Sequence, residues 1–211
     1  MPETNRRESS FGASYARVGP RMDARGATEH RRRLVEAAHG VVIEIGAGYG
    51  ATFPFYPSAV SRVLALEPDP TLRGLALAAA STAPVPVSVK DGVAEALPAA
   101  DASADVVVSS LVLCSVADQS VALAEVVRVL RHGGVLLFYE HVRSAHRVLA
   151  AAEDLATPLW SRVAGGCHPN RDTAAMIAAA GLTMQRLERF GFSVLPGNPR
   201  LAHVLGAASK P

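Results

Sequence analysis

The sequence predicts one α/β domain. Its core is a doubly wound sheet of seven strands, mostly parallel with an antiparallel C-terminal strand, and an N-terminal helical segment precedes it. Three observations carry this reading. Val41–Ile45 is apolar except for Glu44 and flows directly into Gly46, Gly48 and Gly50, as a buried parallel strand entering a tight turn does. Strand-like and helix-like patterns then alternate from 41 to 180, the order that a parallel sheet with crossover helices produces. The 211 residues, 49% hydrophobic and 19% charged, suit one globular core and leave little room for a second.

Residues 1–10 read as a disordered lead-in. Scattered apolar positions follow (Phe11, Tyr15, Val18, Met22), and Thr28 is placed to cap a helix reaching about Ala38. After the strand at 41–45 and its glycine turn comes a short helix interrupted by Pro54 and Pro57. Arg62–Leu66 is the second strand, ending at Glu67, and a helix runs from Pro70 to about Ser81. Val85–Val89 and Asp105–Ser110 are the third and fourth strands. Ser120–Leu130 is helical, and Arg131-His132-Gly133-Gly134 stops it, basic residues and glycine being the expected terminators. Val135–Glu140 is the fifth strand, followed by helices at 145–159 and 172–180, the latter closed by Gly181. Thr183–Phe190 and Leu201–Ala207 are expected to form an antiparallel pair. The division that follows is an N-terminal arm and helical lid over 1–38 and a ligand-binding domain over 39–211.

Composition excludes several classes. No run of about 18 apolar residues occurs, so no membrane-spanning helix is expected. The first 33 residues are polar, with eight arginines against four acidic residues. They lack the apolar centre of a secretory signal, which places the protein in the cytoplasm. A solvated helix face accounts for those arginines better than a nucleic-acid or membrane surface. Cys114 and Cys167 have no C-x-x-C spacing and no neighbouring His/Cys cluster along the chain, so neither a metal site nor a disulfide is expected. Oligomeric state stays open, a homodimer included.

In a doubly wound sheet every parallel strand points its C-terminal end to one edge, where ligands bind. That edge collects Glu44–Gly50, Glu67, the 91–95 loop, Ser109–Cys114 and Glu140–His141. Glycines at 46, 48 and 50 let the backbone approach a ligand that a Cβ would strike. Glu67 can accept two hydrogen bonds from a ribose diol. Gly46–Ala51 with Glu67 satisfies a relaxed dinucleotide fingerprint as well. Glu44, a carboxylate buried in an apolar strand, needs a cationic or hydrogen-bonding partner.

The acidic residue before Gly-x-Gly-x-Gly resembles the cofactor loop of class I S-adenosylmethionine (SAM) methyltransferases, a Rossmann-like family. Asp91-Gly-Val-Ala-Glu-Ala-Leu-Pro98 is similar to that family's loop after strand 3, with Val93 where aspartate is usual. Asp101–Val116 resembles its strand 4 region, and Glu125–Gly134 its helix-to-strand turn, with His132 in place of proline. On these stretches the chain is identified as a class I SAM-dependent methyltransferase of the methyltransferase-11 type. Leu111–Val116, Phe138–Val142 and Gly166–Thr173 resemble the group that contains alkyl-thiol methyltransferases. That group carries a hydrophobic N-terminal anchor, whereas residues 1–33 here are polar.

The resemblance implies SAM as cofactor. Gly46, Gly48 and Gly50 would meet its carboxylate end, and Glu44 its ammonium or else local amides. Glu67 would hold the ribose, with Pro68 stiffening the turn beneath the adenine. Backbone of Val93 or Ala94 would serve the adenine ring, the carbonyl of Ser109 or Ser110 the ammonium, and Leu111 would flank the nucleoside. The expected reaction is in-line methyl transfer to a small-molecule acceptor, a thiol or a hydroxyl. Its rate would come mainly from positioning and water exclusion. His141 is the first choice for a base and His168, in the Gly165–Pro169 loop, the second. Tyr15, Tyr49, His141 and Trp160 are candidate acceptor contacts, as is Phe138, although core packing explains each aromatic equally well. The alternative is a non-methylating enzyme or SAM-binding module on the same scaffold. A nucleic-acid methyltransferase ranks low, because no Asn/Asp-Pro-Pro-Tyr tetrapeptide occurs.

Overall fold

The β-branched runs pair into a sheet whose order is β3-β2-β1-β4-β5-β7-β6. The strands are β1 (Gly40–Ile45), β2 (Val60–Leu66), β3 (Val87–Lys90), β4 (Ala104–Ser110), β5 (Leu130–His141), β6 (Thr183–Phe192) and β7 (Leu201–Ser209). This computed structural model describes residues 3–193 and 200–211, with side chains from Phe11 onward. Neighbours from β3 through β5 run parallel, and β7 lies antiparallel to both β5 and β6. One strand therefore opposes the rest, as the sequence predicts. The order reverses between β1 and β4, which opens a crevice at the C-terminal ends of those two strands.

Alternation along each central strand supplies two cores. Ile43, Ile45, Val107, Leu136 and Phe138 face helices α4 (Gln119–Val129) and α6 (Thr173–Ala179). Val42, Val106, Val108, Leu137 and Tyr139 face the opposite layer, which holds α2 (Thr28–Val35) and α3 (Pro70–Ala80). Asp69 and Asp118 cap α3 and α4 by accepting from the first free N–H groups. Phe138, read as an acceptor candidate, is fully buried in the first core.

The N-terminal segment departs from the sequence reading in four ways. Helix α1 spans Glu3–Met22, so residues from 3 to 10 are helical rather than an unstructured lead-in. A π-helical turn over Asp23–Ala27 joins it to α2. Thr28 is not a cap: its hydroxyl donates to the Asp23 carbonyl at 3.2 Å. Leu34, Val35 and Ala38 pack in the second core, so α2 belongs to the sheet's helical layer and only α1 stands outside it. Two further boundaries move. Leu130 leaves α4 directly into β5, and Arg131–Gly134 form the irregular start of that strand instead of a loop. Helix α5 (Arg147–Val163) runs to Val163, longer than expected.

Candidate active site

At the β1 end, Gly46, Gly48 and Gly50 adopt φ values of 57°, 58° and 81°, a region that side chains disfavour. A Cβ on Gly46 would also lie 2.5 Å from Val112. The loop is fixed from below by Glu44. Its two carboxylate oxygens accept from Thr52 Oγ1 at 2.5 Å and Tyr56 OH at 2.7 Å. The carboxylate thus answers to hydroxyls beneath the loop, a partner set that no sequence pattern identifies.

Burial pushes the Glu44 carboxyl up to about 7, against the hydrogen bonds from Thr52 and Tyr56 and the positive field of Arg31. The folded chain therefore holds this proton more tightly than the unfolded chain. Stability from Glu44 is full below the ordinary value of 4.5 and falls as pH rises toward 7, by about 3 kcal/mol. Urea unfolding of the cofactor-free protein at pH 5 and pH 8 tests this. The Glu44→Gln variant is expected to gain about 3 kcal/mol on wild type between the two pH values. An unchanged gap would refute it.

Glu67 sits at the β2 end, buried, and is held by two amides. Its oxygens accept from Gly48 N at 2.7 Å and Asp69 N at 2.9 Å. Each oxygen keeps a lone pair for a further donor. Burial raises its pKa, and the two amide hydrogen bonds oppose that rise. Pro68 lies between these anchors, its carbonyl accepting from Arg73 Nη1 at 2.9 Å. Across the crevice, Ser109 is fully buried and donates to Glu140 Oε1 at 2.6 Å. Leu111 follows with φ 62°, a strained conformation for a bulky residue that functional sites tend to hold. In the 91–98 loop Ala94 is buried and Val93 is 45% exposed. Glu95 accepts from Ala117 N at 2.9 Å and so anchors the next loop.

Glu140 organises the β4 end, a role that residue spacing does not signal. Oε1 accepts from Ser109 Oγ and from the amides of Val112 and Leu113, and Oε2 accepts from Cys114 N. Burial raises its pKa against these four donors.

The fold also overturns the reading that the cysteines lack a His/Cys neighbourhood. Cys114, Cys167 and His141 converge, all buried. Cys114 and His141 hold the Cys167 pKa well below the ordinary value. For His141, burial lowers the pKa, but Cys167 and Glu140 outweigh it and the net shift is upward. His141 Nε2 is buried without a hydrogen-bond partner among the described residues. His168 lies beside the cluster, its backbone N–H donating to the Cys114 carbonyl at 2.8 Å. Trp160, 41% exposed on α5, acts on the Cys167 thiol.

Helix α1 crosses this edge. Tyr15 packs against Tyr49 at 5.8 Å between ring centres, and Gly12 and Gly19 let the helix touch Asp69 and Tyr49 without a Cβ clash. Asp23 ties the arm to the glycine loop: it accepts from Tyr49 OH at 2.5 Å and pairs with the buried Arg31. Arg31 is thus an exception to the solvated-arginine reading, while Arg32 stays exposed with Glu29.

Known proteins resemble this chain in sequence and in fold. A family profile described as "Methyltransferase domain" matches residues 43–138. Thiol S-methyltransferase TMT1B of Homo sapiens is 36% identical, over 80% of this chain and 70% of its own. The Rattus norvegicus protein of that name is 34% identical with the same coverage. The chain belongs to the SAM-dependent methyltransferases. For this methyltransferase, a solved SAM-dependent methyltransferase of Thermotoga maritima shares the fold, with TM-score 0.71 and 20% identity over 98% of this chain and 99% of that one. Geranyl diphosphate methyltransferase in complex with SAM has TM-score 0.66 and 11% identity, over 88% and 85% of the two chains.

SAM is the cofactor, and the residues present fit it. Asp69 Oδ2 and Ser110 Oγ are buried on the crevice edge without a partner among the described residues. Together with the spare lone pairs of Glu67 they offer acceptors to a ligand rich in hydroxyl and ammonium donors. When bound, SAM supplies a methyl group activated by the adjacent sulfonium.

Proposed function

We propose that this methyltransferase transfers the methyl group to the sulfur of a small thiol in the cytoplasm. The observation that carries the reading is the 31–36% identity to proteins named thiol S-methyltransferases. In this reading Glu67 holds the ribose and the glycine loop the amino acid end. Glu44 acts by fixing that loop. The backbone at Val93–Ala94, and Ser109–Leu111 across the crevice, close the cradle, and α1 serves as its lid, α2 being part of the catalytic domain.

A thiol suits a site of this kind because sulfur is intrinsically strongly nucleophilic and a thiol ionises far more readily than an alcohol. No dedicated base is then required. His141, whose Nδ1 is engaged by two thiols, and His168 act by positioning, with Tyr15, Tyr49 and Trp160 giving the acceptor its apolar contacts. Cys114 and Cys167, free and buried, are in the state that a reducing compartment such as the cytoplasm maintains.

The test is incubation with methyl-labelled SAM and a matched alkyl thiol, alcohol and amine. Label is expected on the thiol, with one demethylated cofactor per product. Label on the alcohol or amine alone would overturn the acceptor assignment. A second reading, a non-methylating enzyme on this scaffold, draws on the [4+2]-cyclase SpnF, which shares the fold at TM-score 0.70 and 16% identity, over 89% of this chain and 82% of that one. SAM uptake without any methylated product would favour it.

A further inference from the structure

We propose that Cys114, His141 and Cys167 form a zinc site with three protein ligands. The ligand atoms lie at the corners of a small triangle. Cys114 Sγ and Cys167 Sγ are 3.8 Å apart, and His141 Nδ1 is 3.6 Å from the first and 3.4 Å from the second. Tetrahedral zinc binds sulfur at about 2.3 Å and imidazole nitrogen at about 2.0–2.1 Å, which separates two sulfurs by about 3.8 Å and sulfur from nitrogen by about 3.5 Å. The observed triangle has those dimensions, so an ion can be seated without moving the backbone. Thiolate and imidazole donors select zinc over calcium or magnesium.

Each ligand is held in place by its surroundings. The Cys114 amide donates to Glu140 Oε2 at 3.1 Å, and its carbonyl accepts from His168 N at 2.8 Å. His141 ends β5 opposite His203 of β7, whose ring lies 4.4 Å away. Gly165 and Gly166, at φ 59° and 83°, carry Cys167 in. Gly166 passes so close to the Ser115 carbonyl that a Cβ there would be 2.8 Å from it. The Arg171 guanidinium then locks this loop by donating to the Leu113 and Val116 carbonyls at 3.0 Å and 2.8 Å. Three segments distant in sequence are thus braced to deliver three donors to one point. Catalytic zinc sites commonly have three protein ligands and an open fourth position, which takes water or another soft donor.

Zinc binding at this triangle does not depend on the acceptor being a thiol. Untagged protein, purified under reducing conditions, is incubated with one equivalent of zinc and weighed by native mass spectrometry. One zinc per chain is expected. Cobalt in its place should give tetrahedral visible bands and sulfur-to-metal charge transfer. Cys114→Ser and Cys167→Ser should each reduce zinc retention at least tenfold. Wild-type protein that takes up no zinc overturns the proposal, as does a Cys114–Cys167 disulfide under these conditions. Zinc uptake that neither serine variant changes also overturns it. SAM titration of the same wild-type sample reports the methyltransferase reading separately.

Discussion

Replacing Glu67 with alanine is expected to raise the SAM dissociation constant by about a hundredfold to ten-thousandfold. Two charge-assisted hydrogen bonds to a ribose diol contribute about 1.5–3 kcal/mol each, and each 1.4 kcal/mol is a factor of ten. The carboxylate is also the partner of Gly48 N at 2.7 Å and Asp69 N at 2.9 Å, so its loss frees the loop that approaches the cofactor. Glu67→Gln separates these effects. It keeps one acceptor oxygen but turns an amino group toward the other amide, and should fall between wild type and alanine. Calorimetric titration reads the series. Unchanged affinity in Glu67→Ala would exclude the ribose contact.

The largest stability effect is expected at Glu140. Its alanine variant leaves Ser109 Oγ and the amides of Val112, Leu113 and Cys114 without their acceptor. A buried donor stranded in this way costs about 1–3 kcal/mol, though water entering the gap recovers part of it. A net loss of about 4 kcal/mol is expected, which for a chain of this size lowers Tm by about 8–16 °C. Glu140→Gln retains Oε1 and its three donors and should lose less than half as much. Thermal unfolding followed by circular dichroism decides this, and an alanine variant within about 2–3 °C of wild type would refute it.

These two carboxylates differ in how far sequence reaches them. Glu67 is legible because it ends an apolar strand 21 residues after Gly46, and topology carries every such end to one edge. Glu140 also ends a strand, but nothing in its neighbours announces that it gathers the backbone of 112–114. Three of its four donors are backbone amides, which have no residue-type signature. Glu44 is conspicuous for the same reason that its partners are not: an acid in an apolar strand stands out, while Thr52 and Tyr56 are ordinary loop residues.

The helical arm was less legible still. Residues 28–38 carry Leu34, Val35 and Ala38 into the core, but three consecutive arginines dilute the apolar stripe that would mark a packed helix. Gly12 and Gly19 weaken α1 by propensity, and their use becomes visible only once Asp69 and Tyr49 lie against them.

By itself, the sequence determined the sheet, its winding and the edge where a ligand is met, because hydrophobic period and glycine placement are local properties of the chain. Tertiary structure alone decided which side chains meet across that edge. Cys114 and Cys167, 3.8 Å apart at their sulfurs, belong to segments that neither spacing nor composition relates. Their approach depends on how β5, the glycine loop at 165–166 and the turn after β4 pack together, and packing is set by the whole chain at once.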